Sequence, residues 1–353
     1  MIKGEEYRTT REPERRRTVS LIILFAVIAG ILVFAPDVLF VIFAGLLFGV
    51  FFGGGGGWLA RLIGIARGWG VGLFVLLIII VIIAAVLGFA PVVAEQFDRL
   101  VEQVPPAIER LRGRVQEYPW GDELLQRATP GALMPKGGTA ATAVSTTFGA
   151  LGNFVIMLFI GLYVALDPET YRRGFISLLA PSWRSAGDEI LGKVIDTLRN
   201  WLAAKLIAMA IVGGLTWLGL WLVGVPLAFI LGLIAALLAF IPNIGPILAA
   251  VPAIFLGLSE GVTTALLVLA VYVAVQTIES YAITPLIQQD RVALPPVLTI
   301  SIQLLMGVLF GILGLALATP MAALGLTLVR ETYVKRYLEK EPTDAAAPRL
   351  SPS

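Results

Sequence analysis

Glu279 is the ionisable residue that stands out within the apolar runs of this sequence. It lies in the run Val262–Leu286, about seven residues from its end, which is on the order of 10 Å inside a helical span. Gln276 and Tyr272 precede it by three and seven residues, so the three side chains share one helix face. A charged carboxyl group is costly at such depth, so Glu279 could carry a proton or bind a cation together with nearby carbonyls. It could also be a structural, protonated group or the partner of Arg291.

A second candidate for chemistry is the segment Pro242-Asn243-Ile244-Gly245-Pro246. Its two prolines remove amide donors and its glycine permits a tight bend, so the pattern predicts a broken helix. Broken backbone at membrane depth is tolerated only where protein or a water-filled cavity satisfies its polar groups. The freed carbonyls, Gly245 and the Asn243 side chain could therefore bind an ion or a polar substrate. The alternative is a plain turn at the headgroup surface.

Thr299 and Gln303 form a polar pair, four residues apart, at the start of another apolar run. They could face the same cavity, or they could form hydrogen bonds between helices. Together with the residues above they complete the predicted substrate- or ion-binding set, which is Glu279, Gln276, Asn243, Gly245, Gln303 and Thr299. The residues predicted to break helices are Pro242, Pro246, Gly311, Gly314 and Pro320.

The composition of the 353-residue chain is that of a membrane protein. It is 58% hydrophobic and 14% charged, with a mean hydropathy of +0.90, whereas soluble proteins carry about 25% charged residues. The net charge of +2 favours no nucleic-acid partner. The absence of His and Cys excludes Ser-His and Cys-His catalysis, His-ligated metals and thiol chemistry. We therefore expect no enzyme, no metal site and no cofactor other than a coupling Na⁺ or H⁺.

The apolar runs predict an all-α, polytopic integral membrane protein with about six full transmembrane helices. A hydrophilic segment precedes the first run, and Pro36 joins that run to the second, which favours a helical hairpin over a cleaved leader. The glycine run Gly53–Gly57 lacks the continuation of a phosphate-binding loop, so we expect a flexible cytoplasmic loop there. The predicted full spans are Val19–Ala35, Val38–Phe52, Val71–Ala90, Val144–Leu166, Leu202–Val223 and Val262–Leu286.

Two further apolar runs, Val225–Leu258 and Pro296–Val329, have the wrong length for ordinary spans. Each of about 34 residues would form roughly 50 Å of helix, against a hydrocarbon core of about 30 Å. Two full crossings would need about 40 residues and a turn. We expect two Pro/Gly-broken re-entrant hairpins, with full crossings as the alternative. The segments 202–258 and 262–329 would then form an inverted repeat, an arrangement that indicates the substrate site of a secondary transporter.

Basic residues in the short loops predict the orientation, with the N- and C-termini in the cytoplasm. Asp167 and Pro168 should begin a cytoplasmic helix, and the stripe Ile190, Val194 and Leu198 indicates an amphipathic helix at the interface. Pro105-Pro106 should kink or split a helical arm that serves either as a surface element or as a lid or oligomer contact.

In order, the predicted segments are a cytoplasmic N-terminal segment (1–18), N-terminal transmembrane helices (19–90), an extracytoplasmic helical arm (91–143), a transmembrane helix (144–166), a cytoplasmic amphipathic segment (167–201), a transport core with two broken hairpins (202–330) and a cytoplasmic tail (331–353).

The motifs resemble those of the autoinducer-2 exporter (AI-2E) family of bacterial membrane permeases over most of the chain. The likeness rests on Phe240-Ile-Pro-Asn-Ile-Gly-Pro246, Gln276-x-x-Glu279 followed by Pro285, Leu294-Pro295-Pro296, and Phe310-Gly-Ile-Leu-Gly314 ending at Thr319-Pro320. Where such proteins often carry Gly-Gln after the interfacial helix, this sequence has Ala204-Lys205. The resemblance implies export or exchange across the bacterial inner membrane by a homo-oligomer. The implied substrates range from the furanosyl signal autoinducer-2 to sodium and protons.

The sequence thus predicts a secondary transporter, embedded in a lipid bilayer, that exports a small polar solute or signal molecule. Two alternatives stay open. A sodium (or lithium)/proton antiporter would show strong pH dependence set by Glu279. A non-transporting membrane scaffold would tolerate loss of the Glu279 carboxylate but not of the 91–143 arm.

Overall fold

The computed structural model describes residues 30, 35–116, 140–283 and 296–338. Every regular element in these ranges is a helix, which confirms the predicted all-α class. In chain order the helices are α1 Pro36–Ile63, α2 Arg67–Gln116, α3 Ala140–Leu166, α4 Pro168–Ser177, α5 Arg184–Leu222, α6 Ala228–Leu238, α7 Ile244–Glu260, α8 Val262–Ile278 and α9 Pro296–Val329. A 3₁₀ turn, Pro181–Trp183, precedes α5, and π-helical turns extend α8 over Glu279–Ile283 and α9 over Arg330–Leu338.

The helices confirm a multi-pass membrane protein. Among the described residues, five helices are long and apolar enough to cross a bilayer, and a sixth is counted if α3 and α4 form one bent span. The first predicted span, Val19–Ala35, lies almost wholly outside the described residues. Helices α6 and α7 have 11 and 17 residues, hence lengths of about 16 and 25 Å, short of a hydrocarbon core of about 30 Å.

The glycine run Gly53–Gly57 lies inside α1, so the prediction of a flexible loop is wrong. A β-carbon on Gly55 would stand 2.1 Å from the ring of Phe74, and one on Gly56 would stand 2.5 Å from the α-carbon of Val71. The missing side chains therefore let α1 and α2 approach closely. Between membrane helices this packing compensates for the low helix propensity of glycine.

The predicted helix over Ile190, Val194 and Leu198 is present and leads into the fifth span, but its apolar stripe is buried against protein and does not face lipid. The three side chains pack with Phe40 and Val41 of α1 and with apolar side chains of α9. An amphipathic stripe alone does not say whether lipid or protein covers it. Here α1 and α9 cover it, and α5 runs without a break from this stripe into the predicted fifth span.

Helix α2 continues through Pro105 and Pro106 to Gln116, so the two prolines do not split the arm, and a kink at this point stays a prediction. The prolines remove two amide donors, yet the rest of the hydrogen-bond ladder is sufficient to maintain the helix. Its length of 50 residues corresponds to about 75 Å, far more than a membrane crossing requires. Residues 117–139 of the arm lie outside the described ranges.

A buried apolar cluster joins α5 to the broken run and to α8. Its fully buried members include Leu220 of α5, Leu231 of α6, Leu256 of α7 and Val268 of α8. Helix α2 also docks here, because the Gln96 side-chain oxygen accepts a hydrogen bond from the Ile230 amide at 3.1 Å. The short helices α6 and α7 are therefore held by neighbouring helices on several sides, which positions the break between them.

Candidate functional site: the break between α6 and α7 and its polar neighbours

The first broken run folds as predicted, into two short helices separated by residues 239–243. Asn243 has φ 65° and ψ −50°, and the Ile244 amide donates to the Pro242 carbonyl at 2.8 Å. This is a γ-turn with positive φ, a rare and strained conformation. Strained backbone of this kind costs about 1–3 kcal/mol and is concentrated at ligand clamps and switch regions. The Asn243 side chain is exposed and forms no capping hydrogen bond.

Gly245 is required by close backbone contact. A β-carbon at this position would lie 1.8 Å from the carbonyl oxygen of Leu238, at the end of α6. Pro246 occupies the first turn of α7, where its missing amide donor costs nothing. The predicted helix-breaking role therefore belongs to Pro242 and its neighbours on the α6 side, while Pro246 helps the next helix to begin.

Gln303 of α9 contacts this turn directly. Its side-chain amide donates to the Pro242 carbonyl at 2.9 Å, so that carbonyl accepts from both Gln303 and Ile244. Gln303 is completely buried, and its side-chain oxygen has no hydrogen-bond partner among the described residues. Thr299, one turn earlier, is also buried. The sequence paired these two residues and the structure places Gln303 against the predicted break.

The second broken run bends at Gly311, which has φ 63° and ψ −146°. A β-carbon on Gly314 would lie 2.4 Å from the Met306 carbonyl oxygen, although eight residues of straight helix would separate these positions by about 12 Å. The chain therefore turns sharply at Gly311, as predicted, and the arm before this bend, residues 296–310, is shorter than the ~20 residues of a full crossing. Pro320 is buried within the second arm and does not end it.

Glu279 lies where α8 changes to a π-helical turn. The side-chain amide of Gln276 donates to one carboxylate oxygen at 3.2 Å, and the ammonium nitrogen of Lys205 stands 3.8 Å from the other. The Lys205 and Glu279 side chains are only 8% and 12% exposed, so the structure places an ion pair inside the protein. Arg291, the partner considered from the sequence, lies outside the described residues.

Lys205 is the candidate functional residue that sequence reasoning missed. In the sequence it departs from the Gly-Gln pattern, and it is the one ionisable residue in the predicted span Leu202–Val223. An ionisable side chain inside a span is by itself a reason to expect a function and a partner. That signal was present in the sequence, but the partner on α8 could not be read from it.

Tyr272 shares the helix face of Glu279 but has a different role. Its hydroxyl donates to the Ala249 carbonyl of α7 at 3.0 Å, inside the protein. This bond ties α8 to α7, so we assign Tyr272 to the scaffold of the site.

Contacts around α5 connect Lys205 and Gln276 to the break between α6 and α7. The rings of Trp201 and Phe240 lie 5.9 Å apart, one turn from Lys205. Val212 of α5, Ala239 of the break and Val275 of α8 form one buried cluster, next to Gln276. The described residues contain no group of three or more His, Cys, Asp or Glu side chains that could hold a metal ion. The arrangement can offer an amide oxygen, backbone carbonyls and one ion pair to a ligand.

These features define the class of protein. It is a polytopic helical membrane protein whose polar groups surround broken helices, as in transporters. A family model described as "AI-2E family transporter" matches residues 21–334. The chain belongs to the AI-2E family of transporters.

Individual relatives agree with this assignment. "Putative transport protein YrrI" of Bacillus subtilis (strain 168) is 28% identical over 66% of this chain and 69% of its own length. "AI-2 transport protein TqsA" of Escherichia coli (strain K12) is 29% identical over 61% of each chain. "Putative transport protein YueF" of B. subtilis is 30% identical over 52% of this chain, and the match spans only half of YueF.

Proposed function

We propose that this protein is a secondary transporter that exports a small polar solute across the bacterial inner membrane, with both termini in the cytoplasm. The observation that carries the proposal is the hydrogen bond from Gln303 to Pro242, which joins the two broken runs at a strained turn. The relative TqsA is named an AI-2 transport protein, which makes autoinducer-2 the first solute to test.

The substrate would bind between the break and the start of α9. The side-chain oxygen of Gln303 has no partner among the described residues, and a buried acceptor without a donor is costly. A hydroxyl-rich solute could donate to this oxygen and accept from the exposed Asn243 amide. Such a ligand would use groups that the protein leaves unsatisfied, which supports a polar, neutral substrate.

Transport would move the two broken elements against a scaffold of α1, α3 and α5. The strained γ-turn at Asn243 is a suitable hinge, because relaxation of its backbone would recover part of the strain when the Gln303 contact opens. We further propose that the broken runs are re-entrant, that they form an inverted repeat and that the protein functions as a homo-oligomer. Crosslinks between α1 or α3 and the broken elements should therefore block transport.

Sodium (or lithium)/proton exchange is the second candidate function, and the Lys205–Glu279 pair favours it. A sodium ion that bound the Glu279 carboxylate would displace the Lys205 ammonium, which could then release its proton to the other side. One cation would enter the site for each proton that left it, so the exchange balances in charge.

The test uses the purified protein in liposomes that contain a pH-sensitive dye. The dye response is measured after a sodium pulse and then after a lithium pulse, and counterflow of labelled autoinducer-2 is measured next. The variants are Glu279→Gln, Gln303→Leu and the matched control Thr277→Val. Thr277 lies on α8 beside Glu279, but it is exposed, and its hydroxyl donates to the Val273 carbonyl of its own helix. Solute counterflow lost in Gln303→Leu supports the exporter, and dye response lost only in Glu279→Gln supports the exchanger.

A folded protein with neither activity would favour the scaffold. That reading also requires Glu279→Gln to be silent in cells while deletion of residues 91–143 is harmful. The native chain has no cysteine, so Asn243→Cys with a membrane-impermeant maleimide reports whether the break faces water. Ala249→Cys, at a fully buried position of α7, is the control and should not react.

A further inference from the structure

The corner between α3 and α4 turns the chain by 91°. If α3 crosses the membrane, α4 must lie along its surface. Asp167 caps α4 by accepting a hydrogen bond from the Thr170 amide at 3.2 Å, and Pro168 takes the first helical position, as the sequence predicted. The cap fixes the direction of α4 relative to α3.

Helix α4 presents large apolar side chains to its surroundings. Tyr171, Phe175 and Leu178, at i, i+4 and i+7, are 47, 55 and 61% exposed, and no residue of the helix is buried. Trp183 in the following 3₁₀ turn is 54% exposed. Aromatic and apolar residues on one face of a helix parallel to the membrane are typical of insertion between headgroups and acyl chains.

The other side of α4 borders a cavity of about 510 Å³, lined by Arg172, Arg173 and Arg184 together with Glu169 and Asp188. Three cations and two anions leave one net positive charge. Arg172 is not available to a ligand, because it donates two hydrogen bonds to the Asp188 carboxylate, at 2.6 and 2.7 Å. That pairing also raises the pKa of Arg172.

The other two arginines donate hydrogen bonds to backbone carbonyls. Nε of Arg173 donates to the Glu169 carbonyl, and Arg184 donates to the carbonyls of Leu179 and Ser177. These bonds hold the Arg173 and Arg184 side chains at the cavity wall and involve no carboxylate. The remaining donors suit the bidentate recognition of a phosphate.

We propose that the α4–α5 corner binds the phosphate of an anionic phospholipid, with Arg173 and Arg184 on the headgroup and Tyr171, Phe175 and Trp183 among the acyl chains. The apolar face argues for a lipid over free phosphate, since a soluble anion would leave these side chains in water. Basic residues near an anionic membrane surface add electrostatic attraction to the apolar contact. The proposal requires no transport activity, so it stands or fails separately from the proposed function.

The test is native mass spectrometry of the full-length protein in detergent with equal amounts of phosphatidylglycerol and phosphatidylcholine. We expect the wild type to retain phosphatidylglycerol at least fivefold more than phosphatidylcholine. Arg173→Gln/Arg184→Gln should abolish this preference, and Arg173→Gln alone, which removes no contact of the turn after α4, should reduce it. Far-UV circular dichroism and the melting temperature show whether each variant is folded.

The matched control is Arg61→Gln/Arg67→Gln, which removes two arginines from a different cavity, beside the glycine run. It should change the preference less than twofold. An equal loss of lipid preference in both double variants would mean that general charge attraction causes the preference, and this result would overturn the proposed site. The proposal also fails if the wild type has no preference, if the first double variant keeps it, or if inorganic phosphate competes as well as phosphatidylglycerol at equal concentration.

Discussion

The side-chain amide of Gln303 and the carbonyl of Pro242, 61 residues apart in sequence, are joined by a 2.9 Å hydrogen bond. Both residues lie at irregular or polar points of otherwise apolar runs. The bond holds a carbonyl that also closes the strained γ-turn, so the two broken elements are coupled at one atom.

Gln303→Leu should slow transport without lowering the stability of the protein. The Pro242 carbonyl keeps its bond from Ile244, and the unsatisfied Gln303 oxygen disappears, so the melting temperature should stay within a few degrees. Transport should fall roughly tenfold, as expected for loss of about 1.4 kcal/mol of coupling. The liposome assay measures the rate. Thr216→Val, which removes another buried hydroxyl without a partner among the described residues, is the control and should leave both quantities unchanged.

Lys205 and Glu279 should behave as a unit in a double-mutant cycle. Lys205→Met or Glu279→Gln alone leaves a buried charge without its partner, at a cost of about 3–5 kcal/mol. The double variant should recover most of the lost stability, because both charges are removed together. Thermal unfolding in detergent gives the three values; strictly additive losses would show that the two residues do not form a pair. Glu95→Gln/Arg99→Gln, an exposed pair on α2, should change little.

Gly245→Ala should prevent the native break from forming. The added methyl group would overlap the Leu238 carbonyl oxygen. The backbone fixes the positions of both groups, so neither can rotate away. We expect a large loss of folded protein, measured by size-exclusion chromatography of the solubilised membrane fraction. Gly57→Ala is the control: it lies in α1, and among the described residues no atom beyond its own helical turn lies within 4 Å of the added carbon. This variant should stabilise by about 0.5–1 kcal/mol. Normal yields of both variants would contradict the geometry of the break.

The α4 cap should lose its effect in acid. Hydrogen bonds from Thr170 lower the pKa of Asp167 below its usual value. A lowered folded-state pKa means that the stabilisation is present above the unfolded pKa and is lost as the pH falls through the folded one. Hydrogen exchange at the start of α4 should therefore be slow at neutral pH and become relatively faster only below the ordinary pKa of an aspartate. Asp167→Ala should be fast at every pH, and Asp167→Asn should be intermediate without a pH step.

Sequence reasoning reached the helices and their breaks because both depend on local properties. Apolar runs indicate spans through their length, and Pro242 and Gly311 indicate breaks through their missing donor or side chain. The cap at Asp167 and Pro168 is equally local, and it is confirmed. The glycine run was misjudged because glycine weakens an isolated helix, whereas Phe74 and Val71 use the same gap for packing.

The sequence by itself determined that this is a polytopic helical membrane protein with broken helices and polar residues near the breaks. Only the tertiary structure decided which of those residues meet: Gln303 with Pro242, and Glu279 with Lys205. It also decided that Ile190, Val194 and Leu198 face protein. Hydropathy and residue type say how much a group gains by burial, but its partner depends on how distant helices pack, and that information is not local to any stretch of the chain.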